Sequence, residues 1–178
     1  MNMKLFTKFF RKSARVLAFY PSTAGLGFAV FEGRSFPINW GVKLISKNKN
    51  AVALKAAVTL MERYRPSVVV VEDYAGKDSR KCNRIERLIE TIAQAAKERT
   101  IRIVRYSRSD IRQCFALLGA FTKYEIAQAI SRELPEFEPY LPPVRKIWLP
   151  EHYRMSIFDA VSLVFTFYGC EETMKKAA

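Results

Sequence analysis

Acidic side chains are in short supply in this sequence. Asp and Glu number 17 against 30 Lys and Arg, so the formal net charge is +13 and the pI about 9.9. A surplus of that size says nothing about fold, but it favours a polyanionic partner, nucleic acid before an anionic membrane surface. A merely very soluble surface is the plainer explanation. Histidine is rarer still: His152 is the only one. Pro150 before it and Arg154-Met155 after it set it in a loop, away from a ligand role. Three cysteines, Cys82, Cys114 and Cys170, are widely spaced and show no metal-ligand pattern. They read as reduced, buried thiols and point to a cytoplasmic protein. No run is long and apolar enough to span a bilayer. Residues 1–14 hold no acid, and Lys4 and Lys8 break up Leu5, Phe6, Phe9 and Phe10, so no secretory core forms there. A short basic helix lying on a membrane, nucleic acid or a partner fits that segment, and so does a flexible tail.

Repeats, low-complexity tracts and linkers are missing too, and 178 residues suit one domain with a sizeable core. The domain is expected over 15–170, between the basic segment 1–14 and a tail 171–178. Arg15 to Tyr20 reads as a buried strand. After the turn Thr23-Ala-Gly-Leu-Gly27 come a second strand, Phe28–Phe31, and a third near Ile38 to Ile45. The period then changes. Val52, Leu54, Ala56, Leu60 and Met61 give a helix over 51–64, ended by Arg65-Pro66. Val68 to Val71 is a strand buried on both faces. A helix over 82–99, a strand over 101–106, helices over 107–117 and 122–134, a loop over 135–150 and a last helix over 156–168 complete the chain. Three antiparallel strands, then alternating helix and strand, predict an α/β domain. Its βββαβαβα order is that of an RNase H-like fold, with a mixed five-stranded sheet flanked by helices.

Two acids stand where apolar residues are the rule. Glu72 ends the Val run, and Asp159 lies in Ile157-Phe158-Asp159-Ala160-Val161. A buried carboxylate needs a cation, a hydrogen-bond donor or a proton. Glu72 can also be read as a strand-end acid meeting solvent beside an arginine. Ser156-x-x-Asp159 can be read as a helix start, with Ser156 as cap and the acid near the first-turn amides.

The order and spacing of several pieces resemble the RuvC crossover-junction resolvases, over nearly the whole chain after about Arg15. Val16-Leu-Ala-Phe-Tyr-Pro-Ser22 with Gly25-Leu-Gly-Phe-Ala-Val30 is similar to a family pattern with an aspartate before the proline. Val69-Val-Val-Glu72 resembles the strand that delivers the second acid. Tyr106-Ser-Arg-Ser-Asp-Ile-Arg112 and Gly119-Ala-Phe-Thr-Lys123 resemble a stretch with a lysine at each of those two places. Ser156-Ile-Phe-Asp159-Ala resembles the start of the last helix. The resemblance implies phosphodiester hydrolysis by two magnesium or manganese ions about 4 Å apart, held by hard carboxylate oxygens. It implies DNA rather than RNA as partner, and a homodimer.

Carried over residue by residue, Glu72 and Asp159 are the candidate catalytic and metal-holding acids. Tyr20 stands where the first aspartate is expected, and Ser156 where many resolvases place a further acid. A neutral phenol, with its pKa near 10, does not bridge two metals at neutral pH. Arg112 and Lys123 are the candidate nucleic-acid contacts. Arg80, Lys81 and Arg84, opening a helix just after Glu72, suit phosphate binding. Tyr106 and Phe121 are candidates to stack on a splayed base or to join the core. Three readings follow: a branched-DNA-binding protein with a degenerate metal site and no sure need of a metal, an active metal-dependent endonuclease, or a non-catalytic subunit of a larger assembly. The second needs a single metal or a substitute acid, for which Glu32, Asp110 and Glu151 are the candidates, none of them at the right strand position. Under the first, Tyr20→Asp alone is expected to create a metal site.

Overall fold

The computed structural model describes residues 14–74, 83–146 and 148–177. Five strands form one sheet: β1 (Arg15–Pro21), β2 (Gly25–Glu32), β3 (Pro37–Leu44), β4 (Val68–Glu72) and β5 (Arg102–Tyr106). Their order across the sheet is β3-β2-β1-β4-β5. β1 pairs antiparallel with β2, and β2 with β3, as the meander reading predicts. β4 lies parallel to β1, and β5 parallel to β4. Parallel neighbours need crossovers, and α1 (Lys49–Tyr64) and α2 (Asn83–Glu98) precede β4 and β5 for that purpose.

Strand alternation sorts the sheet into two faces. Leu17, Phe19, Val69 and Val71 pack with Ala57 and Met61 of α1 and with Leu88 and Ile92 of α2. Ala18, Tyr20, Val68 and Val70 turn the other way, onto α3 (Arg108–Ala116), α4 (Lys123–Glu133) and α5 (Met155–Ala177). From Met155 to Phe167 every residue of α5 is buried. A helix apolar all round is a core helix. Its buried hydroxyls are satisfied within it: Ser162 Oγ donates to the Asp159 carbonyl at 2.7 Å and Thr166 Oγ1 to the Ser162 carbonyl at 2.8 Å.

Three stretches depart from the sequence expectation. β2 begins at Gly25, so Gly25, Leu26 and Gly27 of the expected turn belong to the strand. Inside the expected loop over 135–150, Pro135–Tyr140 forms a 3₁₀ helix. Phe137 drives it: the ring is fully buried, 4.5 Å from Trp40 and 6.3 Å from Phe158 between centres. The last helix starts one residue early and runs past Tyr168 to Ala177. The helix continues through Gly169, since a glycine costs a helix interior only about 1 kcal/mol. Cys114 and Cys170 are thiols. Residues 1–13 and Arg80, Lys81 and Cys82 lie outside the described residues. No helix among the described residues is long and apolar enough to cross a membrane.

β2 and the first turn of α5 touch backbone to backbone. A Cβ on Gly27 would sit 2.3 Å from the Ser156 carbonyl oxygen and 2.8 Å from Ser156 Cβ. Neither atom belongs to a flexible side-chain end, so the helix itself would have to move. Gly27→Ala is therefore expected to destabilise the fold by about 2–3 kcal/mol, as overpacking does. Urea unfolding of the variant beside the unaltered chain checks this, and a midpoint shift near zero would contradict it.

Candidate functional site

β1 and β4 run side by side, with Phe19 opposite Val71. One residue further, Tyr20 and Glu72 reach the same end of the sheet, and alternation turns both to the α5 face. Asp159 arrives from the second turn of α5. Only 2%, 5% and 3% of Tyr20, Glu72 and Asp159 is exposed, so each polar group has been taken out of water and needs partners.

Two cations reach Asp159. Lys123 Nζ donates to Oδ2 at 2.9 Å, and Arg108 Nη1 donates to Oδ1 at 3.3 Å. The same ammonium donates to Glu151 Oε2 at 3.0 Å and to Tyr20 Oη at 3.1 Å, and lies 5.1 Å from the centre of the Tyr20 ring. Those three bonds use all the protons of an ammonium. On the other side, Tyr74 Oη donates to Glu72 Oε2 at 2.7 Å.

Local sequence places both cations. Ser107 with Asp110 and Thr122 with Glu125 form complete capping boxes, so Arg108 and Lys123 are the first residues of α3 and α4. A cation in the first turn works against the helix dipole. Asp159 more than offsets that cost. Burial raises the Tyr20 pKa well above its ordinary value, and the charges of Asp159 and Glu72 push it further. Burial also raises that of Tyr74, with Glu72 adding to it. For Lys123 burial pulls the other way, but Asp159 and Glu151 outweigh it and the pKa ends above normal. At neutral pH the phenols are uncharged and the lysine is charged.

Of the sequence-predicted residues, the structure gathers Tyr20, Glu72, Asp159 and Lys123. Ser156 is buried one turn before Asp159, but as the second residue of α5 rather than its cap. Asp159 is held by two side-chain cations instead of first-turn amides, which corrects the capping alternative. Arg112 is exposed, and the α3 cation that reaches Asp159 is Arg108, one turn earlier. Arg84 turns inward: its guanidinium donates to Asn50 Oδ1 at 3.0 Å and to the Ser22 carbonyl at 3.3 Å, bracing the β1–β2 turn. Tyr106 packs against the core, whereas Phe121 is 59% exposed. His152 stacks on Tyr153 and its Nδ1 accepts from the Arg154 amide. Glu32 pairs with Arg15 and Asp110 caps α3. Glu151, by contrast, joins the cluster through Lys123. Arg108 and Tyr74 escape the sequence reading, although Tyr74 lies two residues after Glu72, and a cation opening a helix asks for an acid nearby.

Magnesium or manganese would require several oxygen ligands on one point. Among the described residues no group of three or more His, Cys, Asp or Glu side chains converges that way. Asp159 already accepts from a cation on each oxygen, and Tyr20 offers a neutral phenol. This donor set does not fit a pair of divalent ions.

No protein-family model matches the chain, and no curated protein does. Solved structures do match. Thermus thermophilus RuvC superposes with a TM-score of 0.66 at 19% identity, over 89% of this chain and 96% of that one. T. thermophilus RuvC in complex with Holliday junction substrate gives 0.65 at 17% identity, over 90% and 96%. The yeast mitochondrial Holliday junction resolvase Ydc2 gives 0.67 at 12% identity, over 93% and 82%. The chain has the RuvC fold. At such identities the likeness is one of architecture: an RNase H-like sheet, with Tyr20 and Glu72 ending the two central strands of this RuvC-like domain.

The charge states make the RuvC-like domain sensitive to alkali. Unfolded, a tyrosine ionises near pH 10 and a lysine loses its proton near 10.4. Folded, Tyr20, Tyr74 and Lys123 hold theirs to higher pH, because their pKa values are raised. The folded state then binds more protons, so stability is complete below about pH 9.5 and falls as pH rises beyond it, by up to about 1.4 kcal/mol per unit for each group. Tyr20→Phe should flatten that fall by one group. Denaturant midpoints from pH 8 to 11 check it, with equal slopes as the contrary result.

Proposed function

We propose that this RuvC-like chain binds branched or structured DNA through a basic face, and that its two-metal site has degenerated. One observation carries the reading: both oxygens of Asp159, the acid matched by resemblance to the last metal-holding position, are engaged by Lys123 and Arg108. The other matched place, at the end of β1, holds the buried phenol of Tyr20. Two-metal hydrolysis needs carboxylates that converge on divalent ions. Binding a polyanion needs only cations and a complementary shape, and a net charge of +13 supports it. The fold supports the branched form of the ligand, being that of a RuvC whose structure holds a Holliday junction substrate.

A second reading, a metal-dependent endonuclease, is favoured by Glu151. It brings one more carboxylate within a lysine's reach of Asp159. For that site to gather a metal, Lys123 would have to withdraw.

A labelled four-way junction and a linear duplex of the same sequence separate the two. In EDTA the chain is expected to retard the junction at lower concentration than the duplex, with affinity falling linearly in log-log form as salt rises. Adding magnesium or manganese should leave the junction uncut. Cleavage by the unaltered chain would establish the endonuclease instead, and equal affinity for duplex and junction would remove the preference for branches.

A further inference from the structure

We propose that Trp148 is a stacking platform for an unpaired or branch-point nucleobase, with the Lys146 ammonium beside it to meet the attached phosphate. The inference rests on the nucleic-acid reading above and says which residue tells a branch from a plain duplex.

Trp148 is 77% exposed, although burying an indole is among the largest gains a side chain brings to a core. Trp40 shows the contrast, packed against Phe137 and Tyr140. The chain around Trp148 is nonetheless held in shape. The Leu149 amide donates to the Lys146 carbonyl at 3.0 Å and Arg145 Nε to the Leu149 carbonyl at 2.6 Å, so a closed turn presents residue 148. Pro142, Pro143 and Pro150 frame that turn, each with a fixed φ. A side chain presented in this way is ordered before its ligand arrives, which lowers the entropic cost of binding. Lys146 Nζ lies over one face of the indole, 5.7 Å from the ring centre, and leaves the other face to solvent.

The turn stands at the rim of the polar cluster. Glu151, three residues on, accepts from Lys123 at 3.0 Å, and three residues of chain span at most about 11 Å. Phe121, also exposed, stands two residues before the same lysine. The Lys123–Glu151 pair thus ties together two loops that each carry an open aromatic ring.

A base stacks on an aromatic ring whatever the sequence, and a cation beside the ring meets its phosphate. Within a linear duplex each base is covered above and below, and only its edges are open to a side chain. At an unpaired nucleotide or a branch point a base face comes free. An exposed indole therefore separates branched from linear DNA without reading sequence. Val144 and Leu149 are exposed on the same loop, which makes an anionic lipid surface the rival occupant. The alternation of cation and ring favours nucleic acid: Lys146 lies beside Trp148, and Arg154 stands 5.9 Å from the Tyr153 ring centre.

Trp40→Phe leaves Trp148 as the sole tryptophan, so its emission reports on that ring directly. Titration with a four-way junction or a single-stranded oligonucleotide is expected to quench the emission to saturation. A linear duplex of the same sequence should quench far less at equal occupancy. Trp148→Ala should weaken junction binding about five- to a hundredfold, the range for one stacked base, and duplex binding by less than about twofold. Trp148→Phe should restore most of the affinity, and Lys146→Gln should lower the log-log salt slope by about one. Unchanged emission on junction binding, or full junction affinity in Trp148→Ala, overturns the stacking role and leaves the branched-DNA reading in place. Equal quenching by the duplex overturns it as well. Failure of the unaltered chain to bind any of the three nucleic acids removes both. A blue-shifted emission with phosphatidylserine vesicles and no quenching by DNA assigns the loop to a membrane surface instead, and overturns the proposal. If Trp40→Phe does not fold, the difference in emission between the unaltered chain and Trp148→Phe gives the same readout.

Discussion

Removing a carboxylate from water costs several kcal/mol even after a protein relaxes around it, and Asp159 is 97% removed by the apolar helix that carries it, since only 3% stays exposed. That single desolvation dictates the rest of this end of the molecule. α3 and α4 each open with a cation despite the dipole penalty, because both open against Asp159. Tyr20 stays protonated because burial disfavours its phenolate and its neighbours are already negative. Glu151 takes the one proton that the ammonium has left after Asp159 and Tyr20.

Much of the architecture could be read from short-range chemistry. The Val run of β4, the apolar spacing of α2 and the two Ser/Thr-x-x-Asp/Glu capping patterns are local signals, and the four elements they mark stand within a residue or two of their expected places. Pro135–Tyr140 escaped notice because its cause, a socket for Phe137 between Trp40 and Phe158, exists only after folding. Tyr20, Glu72, Asp159 and Lys123 stood out as odd residue types or as family positions. Their mutual bonding did not, for the partners of Asp159 lie 36 and 51 residues away in sequence. The choice between Arg108 and Arg112 illustrates the limit. One turn of helix, about 5.4 Å, separates a buried ion pair from a solvated side chain.

A shared fold does not transfer a chemistry, since function resides in the site that a scaffold carries. Here the scaffold is that of RuvC, and its central strands still deliver polar groups to the place where they meet α5. The groups delivered suit a site neutralised from within. Affinity for a polyanion draws on surface charge, whereas two-metal hydrolysis of it needs carboxylates free to take up ions.

The anchoring of Ala14 has a geometric consequence. The Ala14 carbonyl accepts from Tyr168 Oη at 2.7 Å, and that oxygen accepts in turn from the Gly33 amide at 2.9 Å. This knot fixes where the basic segment joins the domain, at the start of β1, while Tyr20 lies five residues along the same strand. At about 3.3 Å per residue the two points stand roughly 17 Å apart. The first strand acts as a spacer: the hydrogen-bonded start of the domain and the polar cluster around Tyr20 stand at its two ends.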